Sequence, residues 1–216
     1  MKIYLKQLEL GPLQNFVYLI GSPETREAAV VDPGWDAAKI LETAKQDEMR
    51  ITTVIVTHTH FDHINGVEDI VRATDAQVVV HKKEEGALPV EKGTKKPVEG
   101  GYEISLGPLK LSVLHTPGHT PGSLCVTVLD RLITGDTLFI GGCGRCDLPG
   151  GDAELMHKSL TRLRALDDRL VIHPGHNYAP EATSLLSKEK ERNPFLLAKD
   201  LDGFLSLIGV VRKSNG

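Results

Sequence analysis

The sequence predicts a four-layer αββα sandwich, an α/β arrangement of two face-to-face sheets with helices outside. Three observations point there. The first half alternates strand-like apolar runs with amphipathic helical ones, and the second half returns to strands before turning helical. No tandem repeat, low-complexity tract or interdomain linker interrupts the 216 residues, a length that suits one domain over 1–216.

The elements follow in order. Ile3–Leu10, Asn15–Ile20 and Ala28–Asp32 are apolar runs rich in Val, Ile, Tyr and Phe, with turn residues such as Gly11-Pro12 between them. Asp36–Met49 places Ala37, Ile40, Leu41 and Ala44 at helical spacing. Thr52–Thr57 is a β-branched run suited to a buried strand. A helix over Ile64–Ala73 and a strand over Gln77–His81 come next, then a polar stretch, Lys82–Gly101, read as a short helix and a surface loop. Strands are predicted at Tyr102–Leu106, Leu109–Leu114, Ser123–Leu129 and Arg131–Thr134. Asp152–Leu166 reads as a helix capped by Asp152, Leu170–Ile172 as a strand, and Pro180–Glu191 and Asp200–Val210 as closing helices.

Composition narrows the function classes. A net charge of -4 gives no reason to expect nucleic-acid or membrane binding. Lys6 interrupts what would be the apolar part of a signal peptide, and no apolar run approaches the ~18 residues a membrane span needs, so a cytoplasmic location is the default expectation. Cys125, Cys143 and Cys146 are too few and too uneven for a disulfide framework. The spacing Cys143-Gly144-Arg145-Cys146 has no second pair and no redox context, so it reads as two loop thiols.

The histidines carry the chemistry. His58-Thr59-His60-Phe61-Asp62-His63 follows directly on an apolar strand. In extended backbone His58 and His60 project the same way and can reach one metal. The chain must then turn into a helix that Asp62 is suited to cap, and the turn aims Asp62 and His63 at a second position. Imidazoles with a carboxylate suit Zn, Fe, Ni or Mn better than Ca or Mg. His119, in Thr116-Pro117-Gly118-His119-Thr120-Pro121-Gly122, Asp136, after Thr134-Gly135, and His176, after His173-Pro174-Gly175, occupy similar turns at strand ends. A buried Asp136 would be costly without a compensating cation. His81 and His157 lack such a setting and read as surface residues, whereas His115 and His173 read as structural neighbours of the site.

Together the segments H-x-H-x-D-H, P-G-H-T, G-D and P-G-H, from Asp32-Pro33-Gly34 to about Pro194, resemble the signature of the metallo-β-lactamase superfamily. The resemblance implies the αββα metallo-β-lactamase fold and a site for one or two metal ions, Zn²⁺ with Fe²⁺ as the alternative. His58, His60 and His119 would hold the first, Asp62, His63 and His176 the second, with Asp136 bridging. Asp32 would support the imidazoles from behind. A metal pair about 3.5 Å apart activates water and polarises a carbonyl, with Asp62 placed to orient the water or shuttle its proton.

Two branches share further features with this chain. Gly142-Cys143-Gly144-Arg145 and a tyrosine two positions past the last histidine resemble short-form hydroxyacylglutathione hydrolases, the glyoxalase II type. Arg145 and Tyr178 would then contact the glutathione part of a thioester, although a loop salt bridge is the alternative role for Arg145. Gly142 to Asp147 equally resembles the persulfide dioxygenases, which oxidise glutathione persulfide at one Fe(II); there His58, His60, His119 and Asp136 would hold the iron. Thioester hydrolysis is the expected activity and persulfide oxidation the alternative, with a small thiol-containing molecule as partner in either case. The oligomeric state stays open.

Overall fold

A computed structural model describes residues 2–91 and 94–209. One six-stranded sheet has the order β1 (Tyr4–Leu10), β2 (Asn15–Gly21), β3 (Glu27–Val31), β4 (Arg50–Ile55), β5 (Gln77–His81) and β6 (Lys95–Val98). Its first two pairings are antiparallel and the remaining three parallel. The second six-stranded sheet runs β14 (Ser184–Leu185), β13 (Val171–Pro174), β10 (Arg131–Gly135), β9 (Leu124–Val128), β8 (Leu109–His115) and β7 (Glu103–Leu106). A small ribbon pairs β11 (Leu138–Phe139) with β12 (Gly142–Cys143).

Alternation along β2 shows how the layers form. Phe16, Tyr18 and Ile20 face the second sheet, meeting Leu106, Leu111, Val113 and Val126. Val17 and Leu19 face the other way, toward α1 (Ala37–Gln46) and α3 (Val67–Thr74). Both faces of this strand are therefore buried, and its run is continuously apolar. Burying each such side chain contributes roughly 1.5–3 kcal/mol before entropy is counted. The outer face of the second sheet packs Leu132 and Ile172 on Met156, Leu160 and Leu163 of α4 (Ala153–Arg164), with Phe204 from α7 (Leu201–Leu207). The metallo-β-lactamase sandwich expected from the sequence is the fold observed.

Several expectations need correction. The helix predicted over Ile64–Ala73 is two, α2 (Phe61–Ile64) and α3, separated at Asn65-Gly66. The stretch Lys82–Gly101 contains a 3₁₀ turn, Glu85–Ala87, and, in place of the expected surface loop, the strand β6. It carries Lys95, Lys96 and Pro97 and buries only Val98, a composition an edge strand tolerates and a central strand does not. The helix predicted over Pro180–Glu191 begins only at Leu186, as α5 (Leu186–Arg192), because the preceding Ser184–Leu185 pairs with β13. A short α6 (Pro194–Leu197), capped by Asn193, lies between the two closing helices that the sequence predicts. The last predicted helix is α7, and Val210 lies outside the described residues.

Candidate metal centre

The candidate residues come from the ends of strands in both sheets. Beyond β4 the chain leaves the sheet, and His58 and His60 lie in the turn before α2. Asp62 and His63 are on α2 itself. Asp62 does not cap that helix: His60 occupies the cap position without a side-chain bond, and Asp62 sits inside the first turn. Its carboxylate is held instead by Asn15, whose Nδ2 donates to Asp62 Oδ2 at 2.9 Å and to its carbonyl at 3.2 Å. Asn15 Oδ1 in turn accepts from Trp35 Nε1 at 2.8 Å. Neither residue stands out in the sequence, since an Asn and a Trp near strand ends carry no motif.

Gly34 permits this arrangement. A Cβ there would overlap the Asp62 carbonyl oxygen, so only glycine lets the Asp32-Pro33-Gly34 loop lie against α2. Asp32 is in the left-handed region at φ 49°. Its Oδ1 accepts from the Thr57 amide at 2.7 Å, and its Oδ2 accepts from Thr57 Oγ1 at 2.6 Å and meets His63 Nδ1 at 3.0 Å. Asp32 thus ties the end of β3 to both histidine-bearing segments.

His119 comes from the turn between β8 and β9, Asp136 from the end of β10, and His176 from just past β13. His58, His60 and His119 bring donor atoms within 4.8 Å of one another, as do Asp62, His63 and His176. Asp136 stands between these groups: its Oδ2 is 3.6 Å from His119 Nε2 and 3.3 Å from His176 Nε2, and its Oδ1 is 3.5 Å from His63 Nε2. Asp32, His58 and His63 form a further close group, but the Asp32 oxygens are already committed to Thr57 and to the Nδ1 side of His63.

Hydrogen bonding decides which ring nitrogens are free. His119 Nδ1 donates to the Arg145 carbonyl at 2.8 Å and His176 Nδ1 to the Leu13 carbonyl at 2.9 Å. His63 Nδ1 donates to Asp32. Thr57 Oγ1 gives its proton to Asp32, so it accepts from His58 Nδ1 at 3.1 Å. In the neutral imidazoles every Nδ1 so engaged leaves an Nε2 lone pair, and these lone pairs converge. His63 Nε2 and His176 Nε2 face each other at 3.2 Å, and His60 Nδ1 lies 3.1 Å from His58 Nε2 and 2.9 Å from His119 Nε2. Asp136 Oδ1 is buried without a hydrogen-bond partner. Lone pairs and a carboxylate aimed at one another are stabilised by a cation between them. The donor set fits a divalent transition metal.

Electrostatics agrees. Burial holds His58 well below the usual imidazole range, and burial also lowers His60. Burial opposes protonation of His63 and His176 too, but Asp136, joined at His63 by Asp32, outweighs it and raises both. Burial pushes the Asp136 carboxyl up, yet the imidazoles of His63, His176 and His58 more than offset this and hold it well below the ordinary range. The cluster favours positive charge at its centre.

The centre forms one wall of a cavity of about 470 Å³ lined by His60, Asp62, His119, Asp136 and His176, with Leu13, Phe61, Phe139, Arg145, Leu148, Pro149 and Tyr178 around them. Tyr178 stacks on His176 with ring centroids 4.6 Å apart. Arg145 reaches the cavity but also makes the loop salt bridge that was its alternative role, with Nε and Nη2 on the two oxygens of Asp147 at 2.9 and 2.8 Å. Both partners are exposed, so this pair contributes little and is readily exchanged. Burial pushes the Cys143 thiol up to about 12 and the Cys146 thiol to about 11, which leaves both protonated near neutrality and poor as nucleophiles.

The other histidines divide differently from expectation. His81 is 2% exposed, not a surface residue, and stacks on His115 with centroids 4.0 Å apart. Its position at the end of a buried strand, rather than any motif, takes it inside. His157 is half-buried against Phe204. His173 packs edge-on to Tyr18, with both ring nitrogens buried and without a hydrogen-bond partner. Among the described residues, no helix is long and apolar enough to cross a membrane.

Known proteins share this framework. Residues 10–176 match the model of the metallo-beta-lactamase superfamily. The chain is 34% identical over 209 residues to a Bacillus subtilis protein described as the probable metallo-hydrolase YqgX, covering 88% of this chain and 96% of that one. It is 42% identical over 166 residues to hydroxyacylglutathione hydrolase of Maricaulis maris, a match spanning 76% of this chain and 62% of the enzyme. The crystal structure of ETHE1 from Myxococcus xanthus superposes with a TM-score of 0.87 at 31% identity, over 98% of this chain and 92% of that one. A family match over most of the chain and near-full-length relatives at this identity lead to one conclusion: the chain belongs to the metallo-beta-lactamase superfamily.

Proposed function

We propose that the protein is a metal-dependent hydrolase of thioesters, with glutathione or related thiols as the leaving group. The observation that carries this reading is the pair of donor groups, His58/His60/His119 and Asp62/His63/His176, joined across Asp136 on the wall of a cavity that Arg145 and Tyr178 also line. A divalent metal bound there supplies Lewis-acid polarisation and water activation, Zn²⁺ being the first choice and Fe²⁺ the second.

The chain's own residues account for the remaining requirements. Water adds to the thioester carbonyl and the C–S bond breaks, giving a carboxylic acid and a thiol. Asp62, held by Asn15 and facing the cavity, is the group placed to take a proton from the attacking water and return one to the departing sulfur. Arg145 can exchange Asp147 for a substrate carboxylate with the same two-pronged geometry. The Tyr178 face and Phe139 offer an apolar surface for the thiol arm. The similarity to hydroxyacylglutathione hydrolase supports the choice of thioester.

A second reading, Fe(II)-dependent oxidation of a glutathione persulfide, is supported by the match to ETHE1, which runs nearly the full length of both chains. His58, His60, His119 and Asp136 would then be the ligands. Metal analysis and two assays on one preparation separate the readings. Thiol release from S-lactoylglutathione, with two metals per chain, is the expected result. Oxygen uptake with glutathione persulfide, one iron per chain and no thioester cleavage would establish the second reading instead.

A further inference from the structure

The buried carboxylate of Glu84 has no part in the chemistry above, yet it joins two of the loops that deliver histidines. Glu84 follows β5, in the turn before the 3₁₀ segment, and is 5% exposed. Its Oε2 accepts from the Thr59 amide at 3.2 Å and from Thr59 Oγ1. Its Oε1 accepts from the Gly122 amide at 2.9 Å. Thr59 lies between His58 and His60; Gly122 belongs to the same turn as His119. One carboxylate therefore bridges the two segments whose imidazoles meet at 2.9 Å, His60 Nδ1 and His119 Nε2.

We infer that Glu84 is a positioning residue for the three-histidine half of the metal centre, an inference that rests on the proposed metal site. Burying a carboxylate is costly unless its oxygens are well bonded, and both Glu84 oxygens go to backbone amides and a hydroxyl rather than to a cation. Glu84 is itself held: its amide donates to the His81 carbonyl at 2.8 Å, and His81 is wedged against His115. The bridge thus refers both loops to the end of β5. Gly122 completes the fit, since a Cβ there would overlap Glu84 Cγ. The Asp62/His63/His176 half is braced by other residues, Asn15, Asp32 and the Leu13 carbonyl. Loss of Glu84 should therefore loosen one half of the centre and spare the other.

The test titrates zinc and, for its visible spectrum, cobalt(II) into metal-free wild type, Glu84→Ala, Glu84→Gln, Gly122→Ala and His60→Ala, with amide exchange followed at Thr59 and Gly122. Glu84→Ala should weaken one of the two metal equivalents by about 10–100-fold, in the range seen when groups supporting metal ligands are removed, and leave the other unchanged. Both amides should exchange faster. Glu84→Gln keeps one acceptor oxygen and should recover part of the affinity. Gly122→Ala, which displaces Glu84 without removing it, should weaken the same equivalent. If Glu84→Ala keeps wild-type affinity and spectrum while His60→Ala loses that equivalent, Glu84 has no positioning role. If His60→Ala also keeps full metal, it is the metal-centre reading that fails. Should Glu84→Ala not fold, unchanged affinity in both Glu84→Gln and Gly122→Ala overturns the inference.

Discussion

His63 Nε2 and His176 Nε2 stand 3.2 Å apart with the opposite nitrogen of each ring bonded to an acceptor, Asp32 for His63 and the Leu13 carbonyl for His176. Two residues 113 positions apart in the chain are thereby set as a pair of converging donors. A cation shared by the two rings would stabilise this contact beyond what a proton between them can.

Metal removal should therefore lower the melting temperature, and restoring zinc should recover it. A ligand at a hundred times its Kd adds about 2.7 kcal/mol to a folded state that alone binds it. Calorimetry of stripped and reloaded protein measures this; equal melting temperatures would show that the cluster binds no metal in the folded chain.

Asp62→Asn should retain the Asn15 contact on one side while losing the proton acceptor. Thioester turnover should fall by about 10²–10⁴-fold, the usual contribution of a positioned acid–base group. Asn15→Ala leaves Asp62 chemically intact but unheld, and a smaller loss of about 10–100-fold is expected. Steady-state kinetics of the two variants gives the order, and a larger loss in Asn15→Ala would contradict these roles.

Gly34→Ala places a methyl where the Asp62 carbonyl lies. Overpacking of this kind costs about 1–3 kcal/mol, and here it should also shift α2 and reduce metal content. Denaturant unfolding with metal analysis reads both. A variant with unchanged stability and full metal would show that the loop can withdraw.

His81 supplies a pH dependence. Burial, with the neighbouring charge of His115, holds it down at about 4 against an ordinary value near 6.5. Between those values the unfolded chain binds a proton that the folded chain excludes. The stability contributed by neutral His81 is complete above about pH 6.5 and is lost as pH falls toward 4. His81→Gln should flatten the stability curve across this window. The metal-free protein, compared with metal-free wild type, is the correct material, so that loss of metal in acid does not add to the slope.

How much of this was legible beforehand depends on whether neighbours in sequence are neighbours in space. The strand β2 announced itself because Phe16 to Ile20 are apolar on both faces, and α4 because Asp152 and its leucines mark a start and a stripe. β6 hid because an edge strand needs little apolar surface, and the split between α2 and α3 hid because it falls inside one continuous amphipathic pattern. His81 is hidden for a related reason: it ends a buried strand and stacks on His115 of the other sheet, a neighbour that no local pattern shows.

The same division runs through the site. The sequence alone determined the donor types and their places at strand ends, since H-x-H-x-D-H, P-G-H and G-D are local patterns that place imidazoles and carboxylates beside turns. The resemblance of those patterns to one superfamily determined the fold. Only the tertiary structure decided which nitrogen of each imidazole faces inward, because that depends on acceptors at Arg145, Leu13, Asp32 and Thr57 contributed by other segments. It also decided that Asn15 holds Asp62 and that Glu84 bridges two loops. Such bonds form between groups distant along the chain, and their energy depends on burial, which no local pattern encodes.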